Sequence, residues 1–177
     1  GSLIILGLQI PIYLLSIPTI ILVYLIRPWF LIRWQRLESA RIGHFAKDTE
    51  LYSCRVEAKI NQPSQRYIDI FFLGKNICNK QLEKMLRRSL KIFPAFLLDP
   101  LFNINRFISM FIKRGVEHEI NLDKEEDRDV HNIVHKLKPH IGFSEEEELK
   151  GKLILKEFGI PENAKFICLA VRDTAYL

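Results

Sequence analysis

Residues 3–26 carry no Asp, Glu, Lys, Arg or His, and no other feature of this 177-residue chain limits its possible folds so sharply. In water, such a run has to be buried almost all round. In lipid, its length matches the roughly 20 residues a helix needs to cross the hydrocarbon core. Arg27, Arg33, Arg36 and Arg41 follow at once, with Trp29 and Trp34 among them. Positive charge beside a span marks the cytoplasmic side, and Trp favours the membrane interface. A secretory signal would carry its charge in front and a small-residue cleavage site behind. Neither pattern is present. The expectation is an apolar membrane anchor with a basic, aromatic flank over residues 1–36, and a domain over residues 37–177 on the cytoplasmic side of the inner membrane. Pro11 and Pro18 keep a hairpin or an interfacial helix open as alternatives, because each can kink the segment.

Charge is unevenly spread around an overall +5. Residues 1–114 hold 17 basic against 7 acidic side chains, and residues 115–177 hold 9 against 14. The basic part adjoins the apolar run, which fits an anionic membrane surface. No zinc finger, aromatic RNA-binding signature or basic recognition helix is visible, so no nucleic-acid partner is expected. Cys54, Cys78 and Cys168 are odd in number and far apart, which argues against a disulfide framework or structural zinc. The chain lacks an initiating Met and stops directly after an apolar run, so it reads as part of a longer protein.

Beyond the anchor the pattern is that of an α/β domain. Helices are expected over 79–93 (Leu82, Met85, Leu86, Leu90 and Phe93 in register), over 127–137, and from Ser144 to Phe158. Ser144 and Glu147 have capping-box spacing, and Gly159 with Pro161 closes that last helix. Tyr67–Leu73 and Phe166–Val171 read as buried parallel strands, and Val116–Leu122 as a weaker one. Residues 94–114 are apolar and basic, and read as core or as a second surface resting on the bilayer.

In open α/β sheets ligands meet the loops that follow the strands. Two places are singled out by that rule. Arg172-Asp173-Thr174 follows a strand-like run, where Arg offers a bidentate fork to phosphate or carboxylate and Asp173 could act as a base. Arg41-Ile42-Gly43-His44 combines close backbone approach at Gly with a side chain that titrates near neutrality. His131 and His135 stand four apart but lack the order of a metalloprotease helix, and no metal site is expected.

Taken together, several strings resemble the N-terminal part of a family of bacterial glycosyltransferases associated with surface-polysaccharide loci. They are Ile26–Arg33, Ser39–Ala46 with Thr49–Tyr52, Asp127–Asn132 and Val171–Leu177. The resemblance implies a Rossmann-like, acceptor-side half of a two-domain (GT-B-like) enzyme. It also implies a nucleotide-sugar donor and a lipid-linked or cell-surface glycan acceptor, with no further cofactor. His44, Arg172 and Asp173 would be catalytic, and Arg41, Gly43, Thr174 and Tyr176 would bind substrate. The alternative is a non-catalytic, membrane-bound assembly component of a polysaccharide system.

Overall fold

The computed structural model describes residues 2–120, 129–165 and 167, with side chains from residue 10 onward. The chain separates into two compact units, Gly1–Ile141 and Gly142–Leu177. The larger holds a three-stranded parallel sheet, β1 Leu31–Leu37, β2 Tyr67–Leu73 and β3 Ile92–Phe93, in the order β1-β2-β3. Helix α2, Ile42–Glu57, crosses from β1 to β2, and α3, Lys80–Ser89, from β2 to β3. This β-α-β-α-β succession of neighbouring parallel strands is Rossmann-like. The sheet register sets Arg33 opposite Asp69 and Leu37 opposite Leu73.

The period of two along β2 builds both layers. Phe71 and Leu73 face α2 and α3, packing with Leu37, Phe45, Leu82, Leu86 and Leu90. Phe72 and Ile70 face the other way, onto Trp34, Ile20, Val23, Leu98 and Phe102. That second layer is made by α1, Ser2–Ile26, and α4, Ala95–Ser109. Each such side chain taken fully from water contributes about 1.5–3 kcal/mol, and apolar residues on both sides of β2 are what let the strand be covered on both faces.

Helix α1 continues through Pro11 and Pro18. Toward its C-terminal end Ser16, Ile20 and Val23 are buried, while Leu14, Leu15, Ile17, Ile21, Leu22 and Leu25 are exposed. Tyr24 donates its hydroxyl hydrogen to Asn105 Oδ1 of α4 at 2.9 Å. Among the described residues no helix is long and apolar enough to cross a membrane.

The stretch read as a basic, aromatic flank is largely β1. Trp34, expected at an interface, is buried against Phe72. Arg33 is committed to Asp69, and Arg36 pairs with Asp99. Trp29 alone of the two tryptophans stays exposed. A division at residue 36 would cut through β1, and helix α1 and the sheet belong to one compact unit.

Three other expectations change. Helix α3 ends at Ser89, because the Lys91 carbonyl accepts the Phe71 N–H at 2.9 Å and recruits the next residues into β3. Within 127–137, the described residues from 129 onward form turns. Asp129 takes the N–H groups of Ile133 (2.8 Å) and Val134 (3.0 Å), and Asn132 sits at φ 53°, which breaks helical continuity. In the weak strand 116–122, a 3-10 helix, Lys113–His118, is followed by a single bridge from Glu119 to Trp34. The expected strand Phe166–Val171 lies outside the described residues apart from Ile167.

The smaller unit contains α5, Glu145–Glu157, with the capping box formed as read. Ser144 Oγ accepts from the Glu147 N–H, and the Glu147 carboxylate accepts from the Ser144 N–H.

Candidate functional site

At the carboxyl edge of the sheet the two crossover loops are tied together. Ser39, just beyond β1, is buried and donates its hydroxyl hydrogen to the Asn76 carbonyl at 2.7 Å, while its own carbonyl accepts the Cys78 N–H at 2.9 Å. Gly74 closes the contact, since a Cβ there would lie 3.3 Å from Ser39 Oγ. On this base α2 begins. Arg41 is its N-cap in extended conformation, without a capping bond from its side chain. Gly43 follows in the first turn, where a Cβ would meet nothing within 4 Å. His44 is exposed, with Nδ1 3.1 Å from Asp48 Oδ2 one turn on. A carboxylate only accepts, so Nδ1 supplies the hydrogen of this pair.

Arg41, Gly43 and His44 are therefore gathered at the N-terminus of a helix that follows a parallel strand. The partial positive charge and unpaired N–H groups of such a terminus attract anions. Arg172, Asp173, Thr174 and Tyr176 lie outside the described residues.

A cavity opens at the opposite edge of the sheet. It has a volume near 490 Å³ and is lined by Tyr52, Glu57, Tyr67, Asp69, Lys91 and His140, among others. Its floor is a network that sequence reasoning missed. Arg33 forks onto Asp69 through Nε (2.7 Å) and Nη2 (2.6 Å), and Tyr52 donates to Asp69 Oδ2 at 2.7 Å. The Arg33 guanidinium also lies 4.8 Å from the centre of the Tyr67 ring. Burial, reinforced by the bond to Asp69, holds the Tyr52 hydroxyl well above the ordinary tyrosine range. The signal in the sequence was one carboxylate inside the apolar run Tyr67–Leu73.

A second cluster borders the same cavity. Glu50, Cys54 and Glu57 follow one face of α2 at intervals of four and three residues, and His140 comes to them from a segment 83–90 residues away. His140 Nδ1 is 3.0 Å from Glu50 Oε1 and 3.8 Å from Cys54 Sγ, and Cys54 Sγ is 3.8 Å from the same Glu50 oxygen. His140 Nε2 is 2.8 Å from Glu57 Oε2. The Glu50 carboxylate further accepts the backbone N–H groups of His140 (2.8 Å) and Ile141 (3.1 Å). Cys54 is wholly buried, and burial, with the Glu50 charge second, pushes its thiol up to about 11. No signal along the chain marks this group, since its members share no motif.

No family model matches the chain, and neither the curated proteins nor the solved structures contain a match to it.

Proposed function

We propose that the chain is the acceptor-side, Rossmann-like half of a two-domain, membrane-associated glycosyltransferase. It would move a sugar from a nucleotide-sugar donor to a lipid-linked or surface-glycan acceptor at the cytoplasmic membrane face. The observation that carries the reading is the position of Arg41, Gly43 and His44. They stand at the first turn of α2, on the sheet edge where α/β folds meet their ligands. In this reading the His44 imidazole, held through Nδ1 by Asp48, takes the proton of the acceptor hydroxyl on Nε2. The freed oxygen attacks the anomeric carbon of the donor, and the nucleotide leaves with the electron pair of the broken bond. Arg41 and Arg172 would meet the phosphate charge that develops, with Asp173 as the other candidate base and Thr174 and Tyr176 contacting substrate.

Membrane association is supported by two apolar surfaces. One is the outward side of α1. The other surrounds the end of α4, where Phe107, Met110, Phe111 and Ile112 are exposed beside Arg106, Lys113 and Arg114. An exposed apolar patch rimmed by cations suits an anionic bilayer better than water.

The test is sugar transfer in membranes carrying the full-length gene product, assayed with a panel of nucleotide sugars. His44→Ala is expected to lower kcat by about 100-fold or more, the usual contribution of a positioned base. Unchanged turnover in that variant removes His44 from the chemistry. No turnover with any nucleotide sugar would favour the non-catalytic assembly component instead.

A further inference from the structure

We propose that Glu50, Cys54 and His140 form a binding site for one divalent metal ion of zinc type, at a place independent of the transferase reading. The three donor atoms, Glu50 Oε1, Cys54 Sγ and His140 Nδ1, stand 3.0, 3.8 and 3.8 Å apart. Tetrahedral zinc, with bonds of about 2.0 Å to N and O and about 2.3 Å to S, sets its ligand atoms roughly 3.3–3.5 Å apart. Each pair thus needs to move by only about 0.3 Å to hold an ion. All three atoms already converge, because Cys54 Sγ and His140 Nδ1 both lie against Glu50 Oε1. A dication entering there displaces the thiol proton, and any proton on Nδ1, to solvent. The result is one thiolate, one carboxylate and one neutral imidazole around a 2+ charge.

Three further features belong to a metal site and not to a chance meeting of polar groups. His140 would ligate through Nδ1 while its Nε2–H donates to Glu57 at 2.8 Å, the outer carboxylate that fixes the tautomer and orientation of metal-bound histidines. Glu50 is itself oriented by two backbone N–H groups, from His140 and Ile141. Cys54 is buried on a rigid helix beside Leu51 and Ile133, so the sulfur cannot swing away. A thiolate with imidazole and carboxylate selects zinc or cobalt over magnesium or calcium. Three protein ligands leave a fourth position for water or a substrate atom.

The experiment is titration of the purified full chain, stripped with chelator, with cobalt(II) and then zinc(II). The proposal expects one ion per chain, a cysteinate-to-cobalt charge-transfer band, and loss of that band when zinc is added. Cys54→Ser should abolish the band. His140→Asn, at a less buried position that spares the helix, should weaken binding at least tenfold, and Glu57→Gln less than His140→Asn. His131→Asn/His135→Asn and Cys78→Ser should leave binding unchanged. A band that survives Cys54→Ser, tight binding that depends on His131 or His135, or no binding of either ion at micromolar concentration would overturn the site.

Discussion

On the α2/α3 side of the sheet a full ion pair, Arg33 with Asp69, stands beside the large cavity, whereas the fully buried polar groups of the α1/α4 side are neutral. Asn105 and His118 there are completely inaccessible. Asn105 receives the Tyr24 hydroxyl and donates to the Gly115 carbonyl (3.0 Å) and to Glu119 (3.2 Å). His118 stacks between Tyr24 and Trp34 and donates from Nδ1 to the Ile32 carbonyl at 2.7 Å. The difference follows from solvation. Charge is tolerated where water reaches the rim and where a bidentate partner is in place, and it is replaced by amide and neutral imidazole where α1 seals the layer. One face is thus built around a cavity that can admit ligand, the other around an apolar helix that has to be locked down.

The sharpest test of this contrast is removal of Asp69. Its side chain is 5% exposed and that of Arg33 is 11%, so Asp69→Ala strands a buried guanidinium and the Tyr52 hydroxyl together. The expected loss is about 3–5 kcal/mol in urea unfolding. An apolar double variant, Arg33→Met with Asp69→Leu, should recover most of it. A loss below about 1 kcal/mol would mean that water from the cavity already screens the pair.

On the sealed face the corresponding weak point is steric. A Cβ at Gly115 would lie 2.7 Å from both Ser109 Cβ and the Tyr24 hydroxyl, and 2.9 Å from Ser109 Cα. Gly115→Ala should cost about 1–3 kcal/mol by forcing the 3-10 helix away from α1 and α4. Adding Tyr24→Phe removes one of the clashing atoms, so the two changes should combine to less than their sum. Strict additivity would show that Gly115 does not press on α1.

How much of this could be read beforehand divides along range. Elements whose causes lie within a few residues were legible: the capping box at Ser144, the apolar run of β2, and the stripe of α3 as far as Ser89. Around Arg41–His44 only the small-residue turn at Gly43 was marked, because neither β1 before it nor α2 after it was read as a strand or a helix. Long-range partners defeated the reading. Trp34 looks interfacial until Phe72 and Phe102 cover it, and Asp69 looks anomalous until Arg33 arrives from 36 residues away. Turns over 129–137 replaced a helix because the Asp129 carboxylate competes for the N–H groups a helix would use. The Glu50–Cys54–His140 group was invisible for the same reason as Asp69. One face of α2 is regular in sequence, but nothing in it announces what will dock there.

The smallest expected effect is also the one that asks whether the α1/α4 face truly excludes charge. Burial holds His118 below the ordinary histidine value. The bond to the Ile32 carbonyl pulls the other way without prevailing, and the nearby positive charge of Arg27 adds to the depression. The unfolded chain titrates near 6.5 at this residue. Below that value the unfolded state takes up a proton that the folded state resists, so the stability due to neutral His118 is present above about pH 6.5 and is lost as the pH falls toward the folded value. The loss can reach at most about 1.4 kcal/mol per pH unit from this one group. His118→Gln can keep a donor to Ile32 without titrating. It should be less stable than the native chain near pH 7.5 because the stacking on Tyr24 and Trp34 is weakened, yet its stability should fall less steeply between pH 7 and 5. Urea midpoints at both pH values separate His118 from the other four histidines, since only the difference between the two chains is read. Parallel slopes would mean that His118 can be charged in place, with Glu117, Glu119 or water reaching it, and the contrast between the two faces of the sheet would then be one of shape alone.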